Sequence, residues 1–163
     1  MNLESLTKLN GEEKFFIILR IAVGAIFLWA SFDKIADPNA FAKIIKNYQI
    51  LPLGLVNIVA IFLPWLEAIC GCLLIFGRLV KGSAFIINIL MIIFSLALII
   101  NLLRGIDVNC GCFSTSLDAK SGDYLFYISR DMLILAASLW VFIFKIKTDL
   151  SAKQKIDALK RYV

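Results

Sequence analysis

Residues 83–103 read SAFIINILMIIFSLALIINLL and contain no charged side chain. A helix of about 20 apolar residues crosses the hydrocarbon core of a bilayer, so this stretch is predicted to span a membrane. Three further apolar runs of similar length lie at 15–35, 53–76 and 124–145. Helices of this length satisfy their own backbone hydrogen bonds in lipid. The sequence therefore predicts an all-α integral membrane protein, built as a four-helix bundle.

The composition agrees with this class, because 61% of the residues are hydrophobic and the mean hydropathy is +0.88. We expect one transmembrane domain at 1–147, followed by an amphipathic cytoplasmic tail at 148–163. The first apolar run is longer than a signal peptide and lacks a cleavage site of small residues, so we expect it to be retained.

Positive charge is distributed unevenly between the two sides of the predicted bundle. Eleven of the 17 Lys and Arg residues lie on the side of the termini, and six lie on the opposite side. The positive-inside rule then places both termini in the cytoplasm of a multi-pass protein, which we expect in the cell inner membrane. The net charge of +5 indicates contact with membrane lipid. No nucleic-acid partner is expected, because the chain has no soluble domain to present a groove.

A short amphipathic helix is predicted in the connection 37–52, where Pro38 follows Asp37. Apolar residues recur there at helical spacing, namely Phe41, Ile44, Ile45 and Tyr48. This helix is expected either to lie in the outer membrane interface or to pack as a lid over the bundle.

The connection 104–123 is long, polar and carries the motif Cys-Gly-Cys-Phe at 110–113. A loop of this length in a compact chain is commonly functional. Thiols on the oxidising side of a membrane tend to be disulfide-bonded or redox-active. A bridge between Cys110 and Cys112 would close a very small, strained ring, and strained exposed disulfides are the labile or catalytic ones. A static disulfide or a passive turn is the alternative.

Three charged residues are predicted to support the Cys110–Cys112 pair. Arg104 and Arg130 would favour a thiolate, the reactive species, and Asp131 lies beside Arg130 at the start of the fourth run. Two thiolates could bind Cu(I). No methionine or histidine nearby would complete such a site, so no metal is predicted.

A second Cys-Gly-Cys occurs at Cys70 and Cys72, within the second apolar run. Residues two apart on a helix point in different directions, so these thiols are not expected to bridge each other. Their depth places them far from Cys110, and small residues are common at helix contacts in membranes. We expect them to serve packing.

Ionisable residues within the spans indicate interhelical contacts or a polar cavity that binds a quinone or relays a proton. The candidates are Glu67, Arg20, Asp33 and Lys34. Glu67 lies near the middle of the second run. Arg20 is the expected counter-charge by depth, whereas Asp33 and Lys34 end the first run near the outer surface.

The order of motifs along the chain resembles the MauE type of membrane protein within the broader DoxX-like group. These motifs are RIAVG at 20–24, SFDK at 31–34, PWLE at 64–67 and NCGCF at 109–113. The resemblance covers roughly residues 14–145. Relatives often carry Gly after the Phe, where this chain has Ser114.

This resemblance implies an inner-membrane protein of four helices that is tied to periplasmic disulfide chemistry. In methylamine utilisation, MauE is associated with the maturation of a disulfide-rich dehydrogenase subunit. The resemblance leaves open whether methylamine metabolism is the context of this chain.

Two functions follow from these patterns. In the first, the chain is a thiol-disulfide oxidoreductase whose Cys110–Cys112 pair exchanges disulfides with a thioredoxin-like or disulfide-rich client. Electrons would then pass to a quinone, which is similar in outline to the DsbB and VKOR proteins. Those proteins have a second outward cysteine pair, which a partner would have to supply here. In the second, the chain is a non-enzymatic membrane anchor or maturation factor for such a client.

Overall fold

The computed structural model describes residues 11–105 and 124–160, and the regular structure in these ranges is helical throughout. The helices are α1 (Gly11–Ala36), α2 (Pro38–Asn47), α3 (Leu53–Phe76), α4 (Val80–Leu103) and α5 (Tyr124–Lys160). Within α5, side chains are described for residues 128–154. The all-α prediction is confirmed.

Among the described residues, α1, α3 and α4 are long and apolar enough to cross a membrane. The fourth predicted span lies within α5, which continues for 37 residues without a break past position 147. The fourth span and the tail at 148–163 therefore stay predictions. Helices α1 and α4 begin at Gly11 and Val80, slightly before the predicted starts of their apolar runs.

Large apolar side chains cover the outward faces of these helices. Trp29 is 76% exposed, Phe62 is 71% exposed and Leu103 is 82% exposed. Extended apolar surface of this kind is rare on soluble monomers and marks contact with a membrane or a partner. Together with the length of the helices, it identifies a membrane protein.

The four long helices share one hydrophobic core. It contains Val23 of α1, Leu74 of α3, Ile87 of α4 and Val141 of α5. Helices α1 and α3 approach each other closely at two glycines, since a Cβ on Gly24 would lie 2.8 Å from the backbone oxygen of Gly71. The small-residue contact that membrane helices favour is therefore made by glycine here.

Helices α4 and α5 pack antiparallel. Lys81 near the start of α4 pairs with Asp149 far along α5. Ile128 near the start of α5 packs against the cluster that contains Leu98 near the end of α4. We call the end of the bundle that carries α2 the α2 end. The opposite end, where Gly77 begins the connection between α3 and α4, is the turn end.

Helix α2 forms where the sequence predicted it. The Asp37 side chain accepts a hydrogen bond of 2.9 Å from the backbone N–H of Ala40, which caps the helix, and Pro38 occupies its first turn. Its four predicted apolar residues are buried, namely Phe41, Ile44, Ile45 and Tyr48. Helix α2 thus packs over the bundle, mainly on α3, and its position in a membrane interface stays a prediction.

Candidate functional site

A buried ion pair joins α1 to α3. The ammonium Nζ of Lys34 lies 2.7 Å from Oε2 of Glu67 and donates a hydrogen bond to it. The two side chains are 1% and 3% exposed. A charge buried alone is very costly, so each of these two groups compensates the charge of the other inside the bundle.

Two aromatic rings surround the ammonium of Lys34. Its Nζ lies 5.2 Å from the ring centroid of Phe41 on α2 and 5.6 Å from that of Phe94 on α4. Both distances fall within the range of cation–π contacts. The ion pair is therefore in contact with residues of α1, α2, α3 and α4, and it adds one contact to the apolar packing that holds α2 on the bundle.

Arg20 does not balance Glu67, so that expectation is wrong. The Arg20 guanidinium donates through Nη2 to the carbonyl oxygen of Ile75 at 3.5 Å and lies over the ring of Phe16. It also touches Gly77 and therefore lies at the turn end. The expectation compared helix depths alone. The lysine side chain is long enough to carry the charge of Lys34 from the end of α1 to a carboxylate deeper in α3.

Asp33, the neighbour of Lys34, takes no part in the ion pair. It is half-buried, and its backbone carbonyl accepts a hydrogen bond of 3.2 Å from the N–H of Asp37. The four residues that were predicted to form one quinone or proton site therefore lie in different places. Lys34 and Glu67 are in contact, whereas Arg20 and Asp33 are elsewhere.

A second charged pair occupies the first turns of α5. Arg130 donates to Oδ1 of Asp131 through Nε at 3.2 Å and through Nη2 at 3.0 Å. Asp131 is 1% exposed. Because Asp131 already compensates Arg130, less of the positive charge of Arg130 is left to favour a neighbouring thiolate. Arg104 is exposed at the end of α4.

Cys110 and Cys112 lie outside the described residues, and their predicted role stays a prediction. The helices on either side of them are described. Helix α4 ends at Leu103 and α5 begins at Tyr124. Because these helices are antiparallel, both ends of the connection between them start from the α2 end.

The two cysteines of α3, Cys70 and Cys72, are free thiols. Cys70 is buried in the shared core and Cys72 is half-buried, and they do not bridge each other. This agrees with the packing role predicted for them. In the described ranges, 11–105 and 124–160, no three His, Cys, Asp or Glu side chains come together as a metal site would require.

Asn101 is a buried polar residue at the α2 end that is not among the predicted site residues. It is fully buried in the last turn of α4, and among the described residues neither its amide nitrogen nor its amide oxygen has a hydrogen-bond partner. Buried polar groups are nearly always paired, so such a group marks a place where a further polar partner is expected. In the sequence, the signal for this buried polar group is an asparagine within an apolar run.

Residues 12–144 match the family model described as methylamine utilisation protein MauE. The chain is 30% identical over 122 residues to the MauE protein of Paracoccus denitrificans, across 74% of this chain and 64% of that relative. It is 31% identical over 127 residues to the MauE protein of Methylophilus methylotrophus, across 77% and 63%. The chain thus spans less than two thirds of the length of these relatives. No solved structure matches the chain.

Proposed function

The chain belongs to the MauE family, and from this premise we propose that its Cys110–Cys112 pair exchanges disulfides with an exported partner protein. The partner would be a disulfide-rich client or a thioredoxin-like protein that serves one. By the names of its relatives, the setting would be methylamine utilisation. The membrane would be the cell inner membrane, with the pair on its periplasmic side.

The observation that carries this proposal is the antiparallel packing of α4 on α5. It returns both ends of the 106–123 connection to the α2 end, where α2 and the Lys34–Glu67 pair also lie. A cysteine pair in a connection whose two ends start from the same end of the bundle would be restricted to one surface of the membrane. This restriction favours exchange with proteins on that side alone.

The electrons and protons of the proposed exchange are accounted for by thiols, disulfides and one acceptor. A client dithiol would reduce the Cys110–Cys112 disulfide, and the client would gain the disulfide while the pair becomes a dithiol. Reoxidation of the pair releases two electrons and two protons. We propose a membrane quinone as the acceptor. No residue is assigned to hold it, because Lys34 and Glu67 satisfy each other and Arg20 lies at the turn end.

A trapping experiment tests the thiol exchange. In a Cys70→Ala, Cys72→Ala and Cys112→Ala background, Cys110 is the sole cysteine. Its attack on a client disulfide, the reverse of the proposed exchange, should leave a mixed disulfide and one free client thiol, because Cys112 is absent and cannot resolve the bond. The matched control also carries Cys110→Ala and should trap nothing. Mass spectrometry identifies the client, and alkylation of its cysteines reports whether its disulfides form in cells that lack Cys110 and Cys112.

Full oxidation of the client in cells that carry Cys110→Ser and Cys112→Ser would contradict this proposal. If client maturation still required the chain itself, the protein would be a non-enzymatic anchor or maturation factor. Quinone extracted with the purified protein, together with thiol oxidation that stops when quinone is removed, would support the proposed acceptor. Thiol oxidation that continues without quinone would exclude that acceptor.

A further inference from the structure

An apolar cavity of about 310 Å³ lies between α2, α3 and α4. Its walls include Ile45 of α2, Tyr48 directly after α2, Leu63 of α3, and Phe94 and Ala97 of α4. Its volume is at the lower end of the range of about 300–1,000 Å³ found for ligand sites. The lining is almost wholly apolar, which favours a hydrocarbon group over a polar ligand.

The cavity opens on the outer surface of the bundle. Ile50, Leu51 and Ile93 line it and are 44%, 38% and 56% exposed. This surface is apolar and is the one that would face lipid. A hydrocarbon chain could therefore enter from the bilayer without crossing water.

Positive charge lies on the same short helix as the cavity wall. Lys43 and Lys46 are exposed on α2, and Ile44 and Ile45 between them line the cavity. Within the described part of the chain, neither lysine forms a salt bridge, whereas the charge of Lys34 is neutralised by Glu67. The two lysines lie on the face of α2 opposite to the one that lines the cavity, so they are placed to hold a head group beside the helix at the membrane surface, not inside the cavity.

We propose that this cavity binds one acyl chain of an anionic phospholipid, whose phosphate is held by Lys43 and Lys46. The apolar walls account for the chain, and the two lysines account for the charge of the head group. An amphipathic helix with a basic face is the element that commonly holds anionic lipid at a membrane surface. The inference does not depend on the thiol chemistry proposed above.

Native mass spectrometry of the full chain in detergent tests the charge requirement. Phosphatidylglycerol and phosphatidylcholine with identical acyl chains are titrated separately. Wild type is expected to bind one phosphatidylglycerol more tightly than phosphatidylcholine. Replacing both lysines, Lys43→Gln with Lys46→Gln, should weaken phosphatidylglycerol binding by roughly 10- to 30-fold, since each lysine near a lipid surface contributes about 1 kcal/mol. Phosphatidylcholine binding should be unchanged.

The matched control replaces two exposed lysines of α5, Lys147→Gln with Lys153→Gln, and should leave the phosphatidylglycerol affinity unchanged. Equal affinity of wild type for the two lipids would overturn the proposal. So would a double variant of Lys43 and Lys46 that binds phosphatidylglycerol as wild type does.

A cavity-filling variant tests the position of the acyl chain. Ala97→Phe should abolish tight phosphatidylglycerol binding while the unfolding temperature stays near that of wild type. If Ala97→Phe prevents folding, the smaller substitution Ala97→Leu is used for the same lipid-binding measurement. Undiminished lipid binding in a folded, filled variant would show that the chain lies elsewhere and would overturn the proposal. Displacement of the bound lipid by a quinone, but not by excess phosphatidylglycerol, would overturn it as well.

Discussion

Lys34 and Glu67 form an ion pair of 2.7 Å between α1 and α3, and neither side chain is more than 3% exposed. The ammonium also faces the rings of Phe41 and Phe94. One lysine thus links the first long helix to α2, α3 and α4. Because the surroundings are apolar, the two charges are strongly coupled, and the loss of either leaves the other without compensation.

We predict that removing one charge of this pair is more damaging than removing both. Lys34→Met or Glu67→Leu should each lower the free energy of unfolding by about 3–5 kcal/mol, because one buried partner is left unpaired. The double variant Lys34→Met with Glu67→Leu should recover a large part of that loss. Unfolding in mixed detergent micelles, followed by circular dichroism, measures all three.

The matched control for this cycle is Lys43→Met, which removes an exposed lysine on α2. It should change the free energy of unfolding by no more than about 0.5 kcal/mol. If the effects of the Lys34 and Glu67 substitutions were simply additive, the two side chains would not be coupled and the interpretation of the pair would fail.

The contact between Gly24 and Gly71 leads to a second prediction. A Cβ on Gly71 would lie 2.9 Å from the backbone oxygen of Gly24, and backbone cannot move aside as a side chain can. Gly71→Ala should therefore separate α1 from α3 and cost about 1–3 kcal/mol of stability. Thermal unfolding of the purified variant measures this cost.

Gly54 provides the control for this substitution. It lies in the first turn of α3, and a Cβ there would meet nothing within 4 Å. Gly54→Ala should be neutral or stabilise the helix by up to about 1 kcal/mol. If Gly71→Ala and Gly54→Ala lowered the stability equally, the contact between α1 and α3 would not be the cause of the loss at Gly71.

Much of the fold could be predicted from local patterns. The long apolar runs gave α1, α3 and α4 to within a few residues, and the sequence around Asp37 and Pro38 gave the start of α2. These features depend on neighbouring residues, so the sequence carries them directly. Helix α5 continues through position 147, where the change from apolar to charged composition marks the end of the predicted span, and that boundary stays a prediction.

The candidate site was harder to predict, since its contacts depend on how side chains reach between helices. Glu67 was identified as a buried ionisable residue, but its partner was assigned to Arg20 by depth. The actual partner, Lys34, starts nearer the helix end and extends inward. The cavity beside Phe94 could not be predicted either, because its walls come from three helices whose packing angles the sequence does not state.

The charge cluster at the turn end leads to a prediction about pH. Side-chain hydrogen bonds from Lys81 and Lys145 hold the pKa of Asp149 below its ordinary value. A lowered pKa in the folded state means that Asp149 contributes stability above its unfolded pKa of about 3.9. That contribution is lost as the pH falls through the folded pKa. Asp149→Asn should therefore lower the unfolding temperature at pH 7, with a difference that shrinks toward zero in acid.

Calorimetry of wild type and Asp149→Asn at several pH values measures this difference. The effect should be small and should weaken in 1 M salt, because the cluster is exposed to solvent. Lys153→Gln removes an exposed charge on the same helix and should show no such pH dependence. A difference between wild type and Asp149→Asn that did not shrink as the pH was lowered would contradict the assignment to this cluster.

The contact between Arg20 and Gly77 leads to a prediction for the connection between α3 and α4. Gly77 has φ of 73°, in the left-handed region, and a Cβ there would collide with the Arg20 guanidinium. Gly77→Ala should cost roughly 1–2 kcal/mol from backbone strain and should also displace Arg20 from the Ile75 carbonyl. In an Arg20→Met background the cost should fall toward the strain alone. Gly82→Ala, which meets nothing within 4 Å in α4, should instead stabilise the helix by up to about 1 kcal/mol. Chemical unfolding of the four variants measures these differences. If Gly77→Ala lowered the free energy of unfolding equally with Arg20 and with Met at position 20, the collision with the guanidinium would contribute nothing to the loss.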